Sequence, residues 1–179
     1  VGMLPAKANL EVQEAFKTQK LDPVIAQAQA GQRKLFFVDA AHFVLAPFLG
    51  FLWSFTRLFI QAPAGRQRFN VLAALDAISH ELVTVTNDSY INALSVCELL
   101  RQLRQRHPDT PITLVLDNAR YQKCKVVWSL AMSLNIELLY LPPYSPNLNL
   151  IERLWKFVRK KMSVLNIPVS YTHLRAHET

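Results

Sequence analysis

The sequence predicts an α/β domain in which a mixed, five-stranded central sheet carries helices on both faces. Its 179 residues, about half of them apolar, suit one domain with a substantial core. Strand-like runs rich in Phe, Val, Leu and Trp come first, and such a meander favours antiparallel pairing. Strand and helix patterns then alternate, which favours parallel strands joined by right-handed crossovers. A mixed sheet satisfies both observations.

The chain opens with a polar, helix-like segment from about Asn9 to Ala30. The pair Asp22-Pro23 interrupts or restarts this helix, because proline is tolerated best in a first helical turn. Gly31 then ends it. We expect residues 1–31 to form a helical linker or arm that leads into a domain spanning residues 32–162.

The meander consists of strand-like runs that are bounded by turn residues. The runs are Lys34 to Val44, Phe51 to Leu58 and Phe69 to Ala77, with Glu81 to Thr86 as a fourth or a continuation, and a hairpin turn at Ser79 and His80. The segment from Phe43 to Ile60 is long and apolar enough to suggest a membrane span. It contains Pro47 and Arg57, however, so a turn between two strands is the favoured interpretation.

Three helix patterns and two strands follow the meander. They are a helix from Ser89 to Arg106, a strand from Ile112 to Leu116, a helix from Tyr121 to Leu134, a strand from Ile136 to Leu141 and a helix that carries Glu152. Apolar residues recur at spacings of three and four in the helices, and Asn135 is a plausible cap for the second one. A proline-rich loop, residues 142–146, precedes the last helix.

The chain is basic, with a formal charge of +7 and a pI of about 9.7. A basic balance suggests a polyanionic partner, with nucleic acid first and a membrane surface second. Cys97 and Cys124 form no CxxC pair, so they indicate buried thiols in a reducing compartment rather than a disulfide or a zinc site. The histidines show no HExxH spacing and the sequence has no glycine-rich phosphate loop. These absences disfavour a zinc hydrolase and a nucleotide-binding loop.

Three acidic residues, Asp39, Asp117 and Glu152, occupy the positions at which catalytic carboxylates are expected. Asp39 ends the apolar run 35–38, Asp117 ends the apolar run 112–116, and Glu152 opens the last helix. An ionised carboxylate at a buried strand end is costly unless a positive group meets it. Hard divalent cations prefer oxygen ligands, so three converging carboxylates would suit such ions and indicate a phosphoryl-transfer enzyme.

Each of the three acids also has a simpler interpretation. Asp117 and Asn118 could form an ordinary turn, although catalytic groups collect at the carboxyl ends of strands in open α/β sheets. Asp39 could form a structural ion pair with an arginine. Glu152 could close a capping box in which Asn149 is the N-cap.

The helix that follows Glu152 has an apolar face that predicts packing on the sheet. This face consists of Ile151, Leu154, Trp155, Val158 and Met162. At 100° per residue, Glu152, Lys156 and Arg159 lie along one flank of that face. In that position Glu152 could bind a metal while Lys156 and Arg159 bind phosphates. The alternative is a simple i,i+4 pair of Glu and Lys.

Asp76 and His42 are weaker candidates. Asp76 ends the third strand-like run and could replace Asp39 or Asp117, but it fits better as a hairpin residue. His42 could orient a water or a phosphate, whereas a lone histidine near apolar residues is usually satisfied within the core or its rim.

Three strings in the sequence resemble the motifs of a known family. They are FFVDAAHF around Asp39, LVLDNARY around Asp117 and LPPYSPNLNLIERLWK around Glu152. The element order is similar to the ribonuclease-H-like fold, and the acids resemble the Asp-Asp-Glu triad of DDE transposases and integrases. The match is closest to mariner-related transposases of bacterial insertion sequences, whose interval between the second and third acids is similar to the 34 residues found here. The resemblance covers residues 31–162.

This resemblance implies a metal-dependent DNA nuclease and strand transferase. Asp39 and Asp117 would share two Mg²⁺ ions, for which Mn²⁺ could substitute, and Glu152 would complete the second metal site. The candidates for contacts with DNA phosphates are Lys156, Arg159, Lys160 and Lys161. Such contacts set affinity and salt dependence rather than sequence choice.

The resemblance also implies DNA partners, namely terminal inverted repeats and a target with a TA site. It further implies a homodimer on paired ends, no membrane association, and a cytoplasmic location at the bacterial nucleoid. Two alternatives stay open: a ribonuclease-H-like cellular nuclease that acts on hybrids or junctions, and a truncated, inactive remnant that still binds DNA.

The chain departs from the family's pattern at both ends. Nothing before Gly31 is long enough to supply the helix-turn-helix region with which such transposases recognise the element's end. Residues 163–179 do not fit the helical continuation that the family has after the glutamate helix, so we expect an atypical, unstructured tail there.

Overall fold

A computed structural model describes residues 9–45, 67–164 and 169–170 of the chain. Its α-helices are α1 (Leu10–Phe16), α2 (Asp22–Gln29), α3 (Ala93–Arg106), α4 (Lys125–Ser133) and α5 (Ile151–Val164). A π-helical turn, Lys17–Leu21, joins α1 to α2, and short 3-10 turns cover Arg120–Gln122 and Pro146–Leu148. The strands are β1 (Lys34–Leu45), β2 (Gln67–Asp76), β3 (Leu82–Asn87), β4 (Ile112–Leu116), β5 (Ile136–Tyr140) and β6 (Val169–Ser170).

The main sheet has the strand order β3-β2-β1-β4-β5. Strand β1 pairs antiparallel with β2, which pairs antiparallel with β3, whereas β1, β4 and β5 run parallel to one another. The prediction of a mixed sheet is therefore confirmed, with the meander supplying the antiparallel half and the crossover helices supplying the parallel half. The predicted strand from Phe51 to Leu58 and the turn at Pro47 lie outside the described residues.

Helices cover both faces of the sheet. Because successive strand residues point to opposite sides, each strand contributes side chains to both helix layers. One core cluster contains Phe36 and Val38 of β1 together with buried residues of α3 and α4. The other contains Leu35 and Phe37 of β1 with buried residues of α2 and α5. Each layer of helices thus closes one face. No helix in the described part of the chain is long and apolar enough to cross a membrane.

Several helix boundaries differ from the predicted ones for local reasons. Helix α3 begins at Ala93 rather than at Ser89, because the side chain of Asn92 accepts hydrogen bonds from the N–H groups of Leu94 and Ser95 and so caps the helix there. The helix predicted from Tyr121 starts four residues later, after a 3-10 turn. At its end Asn135 has φ +52°, as a residue in the left-handed region that follows a helix often does.

The N-terminal segment packs against the domain rather than standing away from it. Leu21 and Ala28 are buried in the same apolar cluster as the α5 face of the sheet. Gly31, at φ +71°, then turns the chain toward β1. The helical prediction for this segment holds, and its helices form part of one covering layer.

The segment from residue 163 onward differs from the unstructured tail that was expected. Helix α5 continues to Val164, and Val169–Ser170 forms the short strand β6. Strand β6 pairs antiparallel with Val44 and Leu45, where β1 extends past the end of β4. The exposed N–H and C=O groups of that strand edge favour pairing with a further strand, which sequence composition did not reveal. Residues 171–179 lie outside the described part.

Candidate active site

The register of the parallel strands brings Asp39 and Asp117 together. The last paired residues of β1 and β4 are Phe37 and Val115, and the two aspartates follow each of them by two positions. Adjacent strands lie about 4.8 Å apart, and residues two apart on a strand share a face. Asp39 is therefore on the face that α5 covers, with Asp117 beside it at the carboxyl end of β4.

Helix α5 places Glu152 over the same edge of the sheet. Ile151 and Trp155 are buried against the sheet, and Glu152 lies between them in the first turn of the helix, half-buried. The side-chain N–H of Asn149 donates to the carbonyl of Val38 at 3.3 Å. This bond ties the start of α5 to the residue directly before Asp39.

The capping-box interpretation of Glu152 is wrong. The Oδ1 atom of Asn149 accepts no hydrogen bond within the described structure, and the N–H of Glu152 donates to the main-chain carbonyl of Asn149 instead, at 3.2 Å. Asn149 is occupied by its contact with β1, 111 residues away. Glu152 also forms no ion pair with Lys156 among the described residues, so neither simple interpretation accounts for it.

The three carboxylates act on one another electrostatically. Burial raises the pKa of Asp39 from its usual 3.8 to about 7, and the negative charges of Glu152 and Asp117 add to the increase. Within the described part of the chain Asp39 has no arginine or lysine partner, so the ion-pair interpretation fails. Burial also raises the pKa of Asp117, against the opposing effects of its neighbours Ala119, Gln122 and Lys123.

The donor chemistry of this cluster fits a hard divalent cation. Its atoms are carboxylate oxygens, and burial together with the charges of Glu152 and Asp117 raises the pKa of Asp39 more than the hydrogen bonds from Ala40 and Trp155 lower it. As the side chains stand, no three His, Cys, Asp or Glu residues in the described ranges lie close enough to hold one ion together. A complete set of ligands would therefore require at least one of the three side chains to change position.

Buried polar atoms without hydrogen bonds surround the carboxylates. Gln122 is 0% exposed and neither atom of its amide has a partner of good geometry in the described structure, although it lies near enough to lower the pKa of Asp117. The indole N–H of Trp155 likewise has no hydrogen-bond partner of good geometry in the described structure, although it lies near Asp39. No sequence pattern indicated Gln122, and helical periodicity indicated Trp155 only as a packing residue.

Asp76 and His42 have structural partners. The Oδ1 atom of Asp76 accepts from the N–H groups of Ile78 and Ser79 in the hairpin turn, as predicted. His42 Nδ1 lies 2.6 Å from the side-chain oxygen of Asn70, which is buried and makes further bonds of its own. Neither residue belongs to the carboxylate cluster.

The basic residues predicted to contact DNA lie along α5 beyond Glu152. Lys156, Lys160 and Lys161 are exposed, and Arg159 is half-buried. The ammonium of Lys161 lies 5.7 Å from the centre of the Phe157 ring, which is itself exposed. This part of α5 therefore offers positive charge together with an aromatic surface.

Comparisons with known proteins agree with this geometry. The sequence matches the family described as DDE superfamily endonuclease over residues 34–170. The fold is similar to that of the Mos1 transposase paired-end complex with the left transposon end, at 16% identity and a TM-score of 0.59, covering 90% of this chain and 52% of that chain. It is also similar to the catalytic domain of Mos1 mariner transposase, at 13% identity and a TM-score of 0.55, covering 90% of this chain and 76% of that domain.

A further match is the Mos1 mariner paired-end complex with Mn, at 15% identity and a TM-score of 0.57, covering 92% of this chain and 52% of that chain. The chain thus spans about half the length of the longer Mos1 chains that it matches. A search of curated proteins gave no match. The structural matches confirm the ribonuclease-H-like fold, which this chain shares with the Mos1 transposase catalytic domain.

Proposed function

We propose that this chain, which belongs to the family of DDE superfamily endonucleases, is a transposase catalytic domain that cleaves element ends and joins them to target DNA. The observation that carries the proposal is the electrostatic interaction of three acids from separate parts of the chain, in which the charges of Glu152 and Asp117 raise the pKa of Asp39. Asp39 and Asp117 are in register at the carboxyl edge of the sheet, and the charge of Glu152 on α5 acts on Asp39.

We further propose that the site binds two Mg²⁺ ions, for which Mn²⁺ can substitute. DDE enzymes use divalent metals, and one of the similar Mos1 complexes contains Mn. Asp39 and Asp117 would hold the ions from the sheet, and Glu152 would complete the set from α5. Bound cations would polarise the reacting phosphate and stabilise the charge on the attacking and leaving oxygens. The contribution of the protein is positioning and the exclusion of water by the covering helix.

DNA is the proposed partner, in the form of terminal inverted repeats and a target strand. The similar Mos1 structures include complexes with transposon ends, and this chain carries a net charge of +7. Lys156, Arg159, Lys160 and Lys161 on α5 would contact phosphates beside the carboxylates. We also propose that the chain acts as a homodimer that pairs two element ends. It would act on nucleoid DNA in the bacterial cytoplasm.

The decisive experiment compares two aspartates that flank the same strand. Asp117 follows β4 in the carboxylate cluster, whereas Asp109 lies before β4, exposed, at the other end. Asp117→Asn should lower Mg²⁺-dependent nicking of inverted-repeat DNA by about a thousandfold, since metal-stabilised charge in the transition state contributes several kcal/mol. Asp109→Asn should nick like the parent chain. Both are assayed at equal folded concentration, with Mg²⁺ and with Mn²⁺.

A substrate panel separates the proposed function from its alternatives. A transposase joins a 3′ end to target DNA, whereas a cellular ribonuclease-H-like nuclease cuts hybrids or junctions without joining. A remnant that only binds DNA would shift its mobility and leave it intact. Nicking by Asp117→Asn at the parent rate would overturn the site assignment, and cleavage without joining would overturn the transposase assignment.

A further inference from the structure

The loop that precedes α5 determines where Glu152 lies, and its backbone is strained. Residues 141–150 connect β5 to α5, and Tyr144 within this loop has φ +57°. The left-handed region costs a non-glycine residue about 1 kcal/mol or more, so such a conformation persists only where neighbouring groups hold it. The contacts of the loop therefore bear directly on the position of Glu152.

Both ends of the loop are anchored on the strands that carry the aspartates. At its start, Asn118, the residue after Asp117, donates its side-chain N–H to the carbonyl of Leu141 at 2.6 Å. At its end, Asn149 donates to the carbonyl of Val38 at 3.3 Å. The loop thus contacts both strands of the carboxylate site.

The centre of the loop is held by one buried amide from the N-terminal helix. Gln13 of α1 donates from Nε2 to the carbonyl of Tyr144 at 3.3 Å and accepts at Oε1 from the side chain of Asn147 at 3.0 Å. Both hydrogen-bonding groups of the side chain are therefore used on the loop, more than 130 residues away in sequence.

The burial of Gln13 is unusual for a covering helix. It is 4% exposed and is the buried residue of α1, whereas the apolar neighbours Leu10 and Val12 are 61% and 48% exposed. Burying an amide is costly unless it is hydrogen-bonded, and burying Leu or Val would stabilise the helix more simply. The contact of Gln13 with the loop therefore adds to the packing of Phe16 on the apolar cluster in orienting α1.

We propose that Gln13 is a positioning residue for Glu152: through Tyr144 and Asn147 it fixes the loop so that Glu152 can complete the carboxylate site. The inference rests on the proposed function, since it concerns the same site. It makes the docking of α1 a condition for divalent-cation binding, although α1 contributes no ligand. The side chain of Gln13 thereby couples the N-terminal helix to the reaction centre.

The test replaces Gln13 by a residue of similar length that forms no such hydrogen bonds. Gln13→Met is compared with Gln19→Met, the same change at an exposed position of the same helical segment. Three quantities are measured on the intact chain: binding of Mn²⁺ and Mg²⁺ by calorimetry, hydrogen exchange of residues 142–152, and nicking as a function of Mg²⁺ concentration. We expect Gln13→Met to bind the cations about tenfold more weakly, the usual scale for losing an outer partner of a metal ligand.

Faster exchange in the loop and near-parental nicking at saturating Mg²⁺ should accompany that loss, and Gln19→Met should match the parent chain in all three measurements. Asn147→Ala, which removes the exposed partner of Gln13, should weaken cation binding in the same direction. Because both changes break one contact, the double variant should be little worse than Gln13→Met alone.

Unchanged cation affinity and loop exchange in Gln13→Met would overturn the proposal, as would a lower melting temperature as its sole effect. That failure is distinct from failure of the proposed function. If Asp117→Asn loses nicking while Gln13→Met does not differ from the parent, the active site stands and only the positioning role falls. If Asp117→Asn binds cations and nicks normally, the proposed function itself fails.

Discussion

Two aspartates on neighbouring strands, the half-buried Asp39 on β1 and the buried Asp76 on β2, have opposite electrostatic environments. The carboxylate of Asp76 accepts two backbone N–H bonds of 2.8 Å and lies 3.2 Å from the ammonium of Lys34. Burial alone would raise its pKa, but these partners together lower it. No lysine or arginine of the described ranges pairs with Asp39, and burial and the charges of Glu152 and Asp117 raise its pKa to about 7.

The carboxylate of Asp76 stabilises the fold, whereas burial of the charged form of Asp39 destabilises it. Asp76 closes the hairpin between β2 and β3, and the protein supplies all its partners. Asp39 lies near two other acids, and no lysine or arginine pairs with it among the described residues. A divalent cation is the partner that such a cluster of oxygens suits. Substitutions at the two positions should therefore have opposite consequences.

The largest expected effect is on activity. Asp39→Asn should reduce Mg²⁺-dependent nicking by about a thousandfold, because a ligand of the proposed metal site is lost and the transition state loses several kcal/mol of charge stabilisation. Asp76→Asn should retain most of the activity of its folded fraction, since it lies in the hairpin and not in the cluster. Nicking rates are measured at saturating Mg²⁺ and corrected for the folded fraction.

Equal losses of activity in the two variants would contradict the comparison, because they would mean that the hairpin aspartate takes part in the reaction. Retention of activity in Asp39→Asn would also contradict the comparison, because Asp39 would then have no role in the reaction despite its raised pKa.

The next effect is on the pH dependence of stability. An unfolded carboxyl group loses its proton near pH 3.8, whereas Asp39 in the fold keeps its proton up to about pH 7. Between these values the folded state binds more protons, so stability falls as pH rises through this window and is constant above it. The shift corresponds to about 4 kcal/mol at 1.36 kcal/mol per pH unit, as an order of magnitude.

Asp39→Asn lacks this titration. Its free energy of unfolding should match that of the parent near pH 4 and exceed it increasingly toward pH 8, by up to about 4 kcal/mol. Urea unfolding at several pH values, without divalent cations, measures the difference. Saturating Mg²⁺ should narrow the gap, since a cation that binds the folded state stabilises the parent. A gap that is the same at pH 4 and pH 8 would refute the environment assigned to Asp39.

Much of this contrast could be predicted from the sequence where local pattern decides the structure. The apolar runs before Asp39 and Asp117 predicted strands, and strand ends at one edge of a mixed sheet follow from their parallel pairing. Asp76 before the turn residues predicted a hairpin carboxylate. These predictions required only the strand period and turn chemistry, which act within a few residues.

What the sequence could not predict depends on contacts between distant residues. Asn149 matched an N-cap pattern, yet its side chain bonds to β1, 111 residues away. Helical periodicity favours burying Leu10 or Val12 of α1, yet Gln13 is the residue that is buried, because its partners lie in the loop before α5. Long-range partners override local preference in both cases.

The smallest expected effect concerns the stability that Asp76 contributes. Asp76→Asn keeps an oxygen that can accept the two hairpin N–H bonds, but it loses the charge that strengthens them and that attracts Lys34, so it should lower the free energy of unfolding by about 2 kcal/mol at pH 7. Because the folded pKa of Asp76 is lowered, its contribution is present above pH 3.8 and is lost as pH falls further, so parent and variant should converge in acid.

Lys34→Met should cost about 1 kcal/mol or less, since that ammonium is partly exposed. Urea unfolding at pH 7 and pH 3 measures both variants, with the exposed Asp88→Asn as the control. If Asp76→Asn were as stable as the parent at pH 7, the hairpin partners would not offset the burial of its charge, and Asp76 and Asp39 would belong to the same class of carboxylate.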